Sequence, residues 1–185
     1  MILISHNHYD HLDRNSVIAL AKLRPAPVWF VPLGEKSWME TACGISRNNV
    51  VEMDWSEEVT LPASSSQKEV KPKRDLKVHC LPCQHFSSRG PTDRNKTLWC
   101  SWICSTTSTE IASSGERTGG ATYYFGGDTA YCPLFKKIGA LHGPIDFAAI
   151  PIGAYGHSSE RWFMKPVHMD PYEAVQTHMV GVFYI

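Results

Sequence analysis

Three imidazoles and a carboxylate crowd into six residues, His6-Asn7-His8-Tyr9-Asp10-His11, directly after the short apolar run Ile2 to Ile4. The pattern H-x-H-x-D-H at the end of a buried strand is that of a metal-binding turn. In extended or tightly turned backbone, residues two apart point the same way. His6 and His8 can therefore grip one cation while Asp10 and His11 turn towards a second. Nitrogen and oxygen donors of this softness suit zinc, and an incomplete protein shell leaves room for water. The competing reading is a polar loop rich in histidine by accident. Three histidines at these spacings arise by chance in roughly one chain of this composition in fifty.

Beyond the turn, strand and helix alternate. Asp13 or Asn15 can cap a helix carrying Val17, Ile18 and Ala21, which Pro25 ends. Val28 to Val31 reads as a strand, Gly34 to Ala42 as a helix closed near Gly44, and Val50 to Met53 as a strand. Further strands are expected at Leu76 to Leu81, Leu98 to Cys104, Ala121 to Phe125 and Phe147 to Ile152. A helix from Cys132 to Leu141 should place Leu134, Phe135, Ile138 and Leu141 on one face. Asp170-Pro171-Tyr172-Glu173 has the form of a capping box with proline at the first helical position, so a helix should run on towards His178. Alternation of this kind argues for an α/β sandwich, sheets inside and helices outside. The 185 residues suit a single domain, with polar loops at residues 62–75 and 105–120.

Eighteen basic residues balance eighteen acidic ones, so no net field draws nucleic acid to the chain. No run approaches the roughly 18 to 20 apolar residues that span a bilayer, and Met1 does not open a targeting segment. The expected location is intracellular, in the cytoplasm or peripheral on an internal membrane such as the mitochondrial one. The six cysteines sit in apolar runs and read as reduced.

Two later segments end an apolar strand with a residue able to bind metal: His85 after Val78 to Cys83, and Asp128 after Tyr123 to Gly127. Aspartate can bridge two cations, and the glycines before it let backbone come close. Taken alone, His85 would more often be a surface histidine and Gly-Gly-Asp a turn.

With these motifs in place the chain resembles the metallo-β-lactamase superfamily, and within it the N-acylphosphatidylethanolamine-hydrolysing phospholipase D family. The matching text is SHNHYDHLD at Ser5 to Asp13, LPCQHFSSRG at Leu81 to Gly90 and LWCSW at Leu98 to Trp102. It continues with YFGGDTAYCPLFKKIG at Tyr124 to Gly139, DFAAIPIGAY at Asp146 to Tyr155 and RWFMKPVHMDPYEAVQTH at Arg161 to His178. The resemblance implies two zinc ions per complete site, one held by His6, His8 and His85, the other by Asp10 and His11, with Asp128 bridging. It implies a phosphodiesterase that cleaves N-acylphosphatidylethanolamine to N-acylethanolamine and phosphatidic acid through a metal-bridging hydroxide. Asp128 would position the metal pair and His168 would assist at the substrate phosphate. Trp162, Phe163 and Met164, with Trp99, Trp102 and Tyr155, are candidate apolar walls for a phospholipid. Arg161 and Lys165 are candidate contacts for its headgroup. Read without the resemblance, such aromatics more often pack in a core and such charges are solvated. Peripheral membrane association follows from the substrate, and a homodimer is open.

The resemblance also implies an αββα sandwich that is incomplete here, lacking N-terminal strands and the last C-terminal strand with its final zinc ligand. His178 lies in a helical segment and matches a position that does not bind metal. The expectation is a fragment or an imperfect gene model, with an exposed sheet edge and lowered stability. Other readings keep the fold and change the outcome: a hydrolase of a lactone, thioester or nucleic-acid phosphodiester, or an inactive fragment.

Overall fold

Trp29, Phe30 and Val31 are apolar at every position, so neither face of that strand suits water. The computed structural model, which describes residues 1–63, 74–106, 110–111, 117–118 and 120–181, covers both faces. Strands β1 (Ile2–Leu3), β2 (Trp29–Pro32) and β3 (Val50–Met53) form an all-parallel sheet in that order, with Ile2 opposite Trp29 and Trp29 opposite Val50. Side chains alternate across a strand. Trp29 and Val31 pack on Val17 of α1 (Arg14–Leu20) and on Met39 and Cys43 of α2 (Lys36–Cys43). Phe30 faces the other way, onto Met53, Val78, Cys80 and Trp102.

That second face belongs to a five-stranded sheet. Its strands are β4 (Glu58–Leu61), β5 (Leu76–Leu81), β6 (Ser101–Thr106), β9 (Thr122–Phe125) and β10 (Phe147–Ala149), in the order β10-β9-β6-β5-β4. Only β10 and β9 run parallel. Its outer face turns Leu81, Ile103 and Tyr124 onto Phe135 and Ile138 of α3 (Leu134–His142) and Ala174 of α5 (Pro171–Val180). The layers are therefore helix, sheet, sheet, helix, as the alternation predicts. β7 (Glu110–Ile111) and β8 (Arg117–Thr118) pair antiparallel as a separate two-stranded ladder.

Local signals hold at most element ends. The Asp13 carboxylate accepts the Ser16 N–H at 2.7 Å and starts α1, and Gly44, at φ +69°, closes α2. The capping box at Asp170 forms in full, with 2.8 Å from Glu173 N to Asp170 and 3.0 Å from Asp170 N to Glu173. A short α4 (Arg161–Met164) precedes it.

The structure corrects several expectations. Strand β4 was absent from the sequence reading, because half its side chains face solvent beside a polar segment. Leu98 to Cys100 lies outside β6, which starts at Ser101. Leu141 is 78% exposed rather than on the buried face of α3, where Gly139 takes part instead. A Cβ on Gly139 would come within 2.6 Å of the Gly181 carbonyl, so α3 and the end of α5 approach backbone to backbone. In the segment read as a loop at 105–120, residues 110–111 and 117–118 are paired strands. Ser105 and Thr106 belong to β6, whereas 107–109, 112–116 and 119, like most of 62–75, lie outside the described residues. All six cysteines are buried and carry no disulfide.

Candidate metal centre

The two sheets meet just before the first histidine. Ile4 donates its N–H to Phe30 O at 3.0 Å and accepts from Trp102 Nε1 at 2.9 Å, while Ser5 O accepts the Cys100 N–H at 2.8 Å. Residues 4 and 5 are thus tied to both sheets, and His6 leaves the sheet edge from a fixed point. Gly127, at φ +59°, passes so close to Ser5 that a Cβ there would stand 2.5 Å from the serine Cβ. Only glycine accepts both the left-handed backbone and that approach, and it sets Asp128 beside the histidine turn. His85 follows β5, held by the pairing of Gln84 with Ala130. His168 arrives ahead of α5, where Met169 N donates to Thr129 O at 3.0 Å.

The ring nitrogens converge. His6 Nε2 lies 2.9 Å from His8 Nδ1, and His85 Nε2 lies 3.3 Å from that same atom. His11 Nε2 is 2.9 Å from an Asp128 carboxylate oxygen, and His168 Nδ1 is 3.9 Å from it. Three overlapping donor groups result, each within 4.8 Å: His6, His8 and His85; His6, His11 and Asp128; His85, Asp128 and His168. The far nitrogens are engaged elsewhere. His85 Nδ1 is 2.9 Å from Val167 O and so carries the proton, leaving Nε2 bare towards the cluster; His6 Nδ1 is 3.0 Å from Ser5 Oγ. Outer hydrogen bonds of this type fix the tautomer a metal ligand needs. Imidazole lone pairs facing one another with one carboxylate among them fit a divalent cation, and an apolar core would not assemble them otherwise.

Burial shapes the charges. Desolvation, reinforced by the neighbouring imidazoles, lowers the pKa of His6 to about 2. It lowers His85 to about 4, against the opposing pull of the Val167 carbonyl and Asp128. His8 and His168 are also lowered, by burial first. Burial alone would raise Asp128, but the hydrogen bond and charge of His11, then His168 and His6, bring it down to about 2. His11 is raised, chiefly by its bond to Asp128. Between pH 6.5 and about 4 the unfolded chain therefore takes up protons that folded His85 and His6 refuse. Stability from these depressed histidines is present above that window and lost as pH falls through it. The contribution of His11 has the opposite sign and fades as pH rises past its raised value. With several histidines against one, the urea midpoint of the metal-free chain is expected to climb between about pH 4.5 and about pH 6.5. A flat or falling profile would contradict this arrangement.

Of the residues singled out from sequence, His6, His8, His11, His85, Asp128 and His168 come together. Asp10 does not join a donor group: its side chain is 79% exposed, with an oxygen 3.4 Å from His11 Nε2. Arg161 is engaged inside the protein, pairing with Asp170 at 3.1 Å and Glu173 at 2.6 Å and donating to His168 O at 3.1 Å. It braces the start of α5 and His168. Lys165 is largely exposed, 3.9 Å from Glu173. Trp162 is 80% and Phe163 46% exposed, while Met164 is half-buried against Gly156. Trp102 is wholly buried between the sheets and lines no lipid wall. Trp99 is half-buried, donating from Nε1 to Cys83 O at 3.0 Å. Sequence reasoning gave no role to Asn7 within the turn, to Arg89 in the Leu81–Gly90 motif or to the buried Glu35, because their partners lie far off along the chain.

Comparison with known proteins adds to this geometry. Residues 1–180 match the family described as beta-lactamase superfamily domain. A Caenorhabditis elegans protein named N-acyl-phosphatidylethanolamine-hydrolyzing phospholipase D 1 is 43% identical over 180 residues, covering 95% of this chain and 44% of that protein. Saccharomyces cerevisiae has a protein named N-acyl-phosphatidylethanolamine-hydrolyzing phospholipase D, mitochondrial. It is 32% identical over 179 residues, covering 95% of this chain and 32% of that one. The chain thus spans less than half the length of either relative. The metallo-beta-lactamase fold protein YhfI from Bacillus subtilis superposes with a TM-score of 0.51 at 12% identity, over 98% of this chain and 60% of that one, a likeness of fold.

Proposed function

Because the chain belongs to the beta-lactamase superfamily domain family, we propose that it serves a zinc-dependent phosphodiesterase that hydrolyses N-acylphosphatidylethanolamine to N-acylethanolamine and phosphatidic acid. The observation that carries this reading is the convergence of His6, His8 and His85 on one another, with His6, His11 and Asp128 forming an adjoining donor group. Zinc at these donors would supply Lewis acidity towards a phosphoryl oxygen and a water of lowered pKa.

The chain's own residues do the rest. Asp128 stays ionised despite burial and supplies one negative charge to the two donor groups it shares with histidines. Burial lowers the His168 pKa and favours the neutral imidazole, whose one ring N–H can hydrogen-bond to a phosphate oxygen or to the leaving oxygen without giving up its proton. Arg161 fixes its backbone. Trp162, Phe163 and Tyr155 are exposed, an apolar surface that suits acyl chains at a bilayer interface. Among the described residues no helix is long and apolar enough to cross a membrane, and the proposed association is peripheral, on an internal membrane.

The test is chemical. Zinc-loaded protein incubated with vesicles containing N-acylphosphatidylethanolamine is expected to release phosphatidic acid, and a chelator should abolish the release. A protein that holds its zinc yet yields no phosphatidic acid, while turning over a lactone or thioester, overturns the substrate.

A further inference from the structure

The turn that carries His8, Asp10 and His11 is spanned by one side chain from another segment. Arg89 Nη1 donates to Asn7 O at 2.8 Å and to Leu12 O at 2.7 Å, so a single nitrogen ties the two ends of the turn together. The guanidinium carbon sits 4.3 Å from the centre of the Tyr9 ring and 4.4 Å from that of Trp38. Arginine suits this place because its planar fork donates in fixed directions and stacks on aromatic faces, which an ammonium group cannot do at once.

Arg89 is itself held. The Asp93 carboxylate accepts from the backbone N–H groups of Arg89 at 3.1 Å and Gly90 at 2.8 Å, and from Ser88 Oγ at 3.0 Å. Ser88 N donates to Asn7 Oδ1 at 2.9 Å, and Asn7 Nδ2 donates to Thr97 Oγ1 at 3.1 Å. The Glu35 carboxyl is 1% exposed, and its Oε1 has no hydrogen-bond partner among the described residues. Burial pushes the Glu35 pKa up, while Thr97, the charge of Arg89 and Asn7 pull it down. A buried carboxyl is costly unless charge or hydrogen bonds compensate it, and the nearby Arg89 charge does so in part.

We propose that Arg89 is a positioning residue for metal binding: by bridging the carbonyls of Asn7 and Leu12 between the rings of Tyr9 and Trp38, it holds the histidine turn in its ligating shape before any ion arrives. The inference rests on the metal-centre reading above. It touches no metal ligand side chain and no substrate. Its effect is preorganisation, and supporting contacts of that rank change metal affinity by about 10- to 100-fold.

The experiment measures zinc affinity by chelator competition, with circular dichroism confirming that each metal-free protein is folded at the temperature used. Arg89→Ala is expected to bind zinc about 10- to 100-fold more weakly. Arg89→Lys, which keeps the charge but not the fork, should bind at least about tenfold more weakly and serves alone if the alanine variant does not fold. Either folded variant binding within about threefold of the parent overturns the proposal, as does a loss that only follows the fraction unfolded. A parent chain that binds no zinc overturns the centre and this brace together, whereas a parent that binds zinc beside an unaffected variant overturns the brace alone.

Discussion

Replacing Asp128 with asparagine is expected to cut the proposed hydrolysis at least about a thousandfold, near 4 kcal/mol of transition-state stabilisation, with the fold retained. The shape of the side chain survives, and so does the close passage of Gly127 against Ser5 that places it. The charge does not survive. Asp128 is in two of the three donor groups and is the only anion in them. It remains ionised, with a pKa near 2, because His11 donates to it at 2.9 Å and outweighs the cost of burial. An amide can neither balance divalent charge nor keep the pKa of His11 raised. Zinc content and kcat/KM measured together decide the matter. A variant that keeps activity within about tenfold of the parent would overturn the role proposed for this carboxylate at the metal.

Trp102→Ala should be the most damaging change to the fold, costing about 3 to 5 kcal/mol by the usual cost of emptying a buried aromatic site. Trp102 is 0% exposed on the central strand of the five-stranded sheet, edge-on to Phe30 with ring centroids 6.3 Å apart. Its removal opens a cavity at the junction of the two sheets and leaves the Ile4 carbonyl without its 2.9 Å indole donor. A domain of this size has a total stability of about 5 to 15 kcal/mol, so the loss is a large share. Because Ile4 is two residues from His6, zinc affinity should fall with stability. Trp102→Phe refills most of the volume but not the hydrogen bond, and should recover all but about 1 to 3 kcal/mol. Urea unfolding of the metal-free proteins measures both, and a cost below about 1 kcal/mol for the alanine variant would mean that the sheet junction does not depend on this ring.

Trp102 also shows where sequence reading reaches its limit. In the text of the chain it is one more aromatic beside a motif, more often core by residue type and a lipid-facing candidate only through the resemblance. Its neighbours Phe30 and Ile4 lie far away along the chain, and only the stacking of two sheets makes it interior. Arg161 is similar: a cation before an aromatic pair suggests a headgroup contact until Asp170 and Glu173 are seen to bind it. The strand β4 escaped for a different reason, since its exposed, alternating face looks like the polar segment that follows.

What the sequence determined by itself was local chemistry: the spacing of His6, His8 and His11, the capping box at Asp170, the two-sided apolar strand at Trp29 to Val31, and glycines where backbone had to turn or crowd. Each of these depends on residues within a few positions of one another, where chain geometry dictates direction. Tertiary structure alone decided that His85, Asp128 and His168 close around the turn, and that Arg89, 77 residues from Leu12, ties its ends. These outcomes depend on how two sheets and their connecting segments meet, and such long-range contacts leave no periodic trace in the chain that makes them.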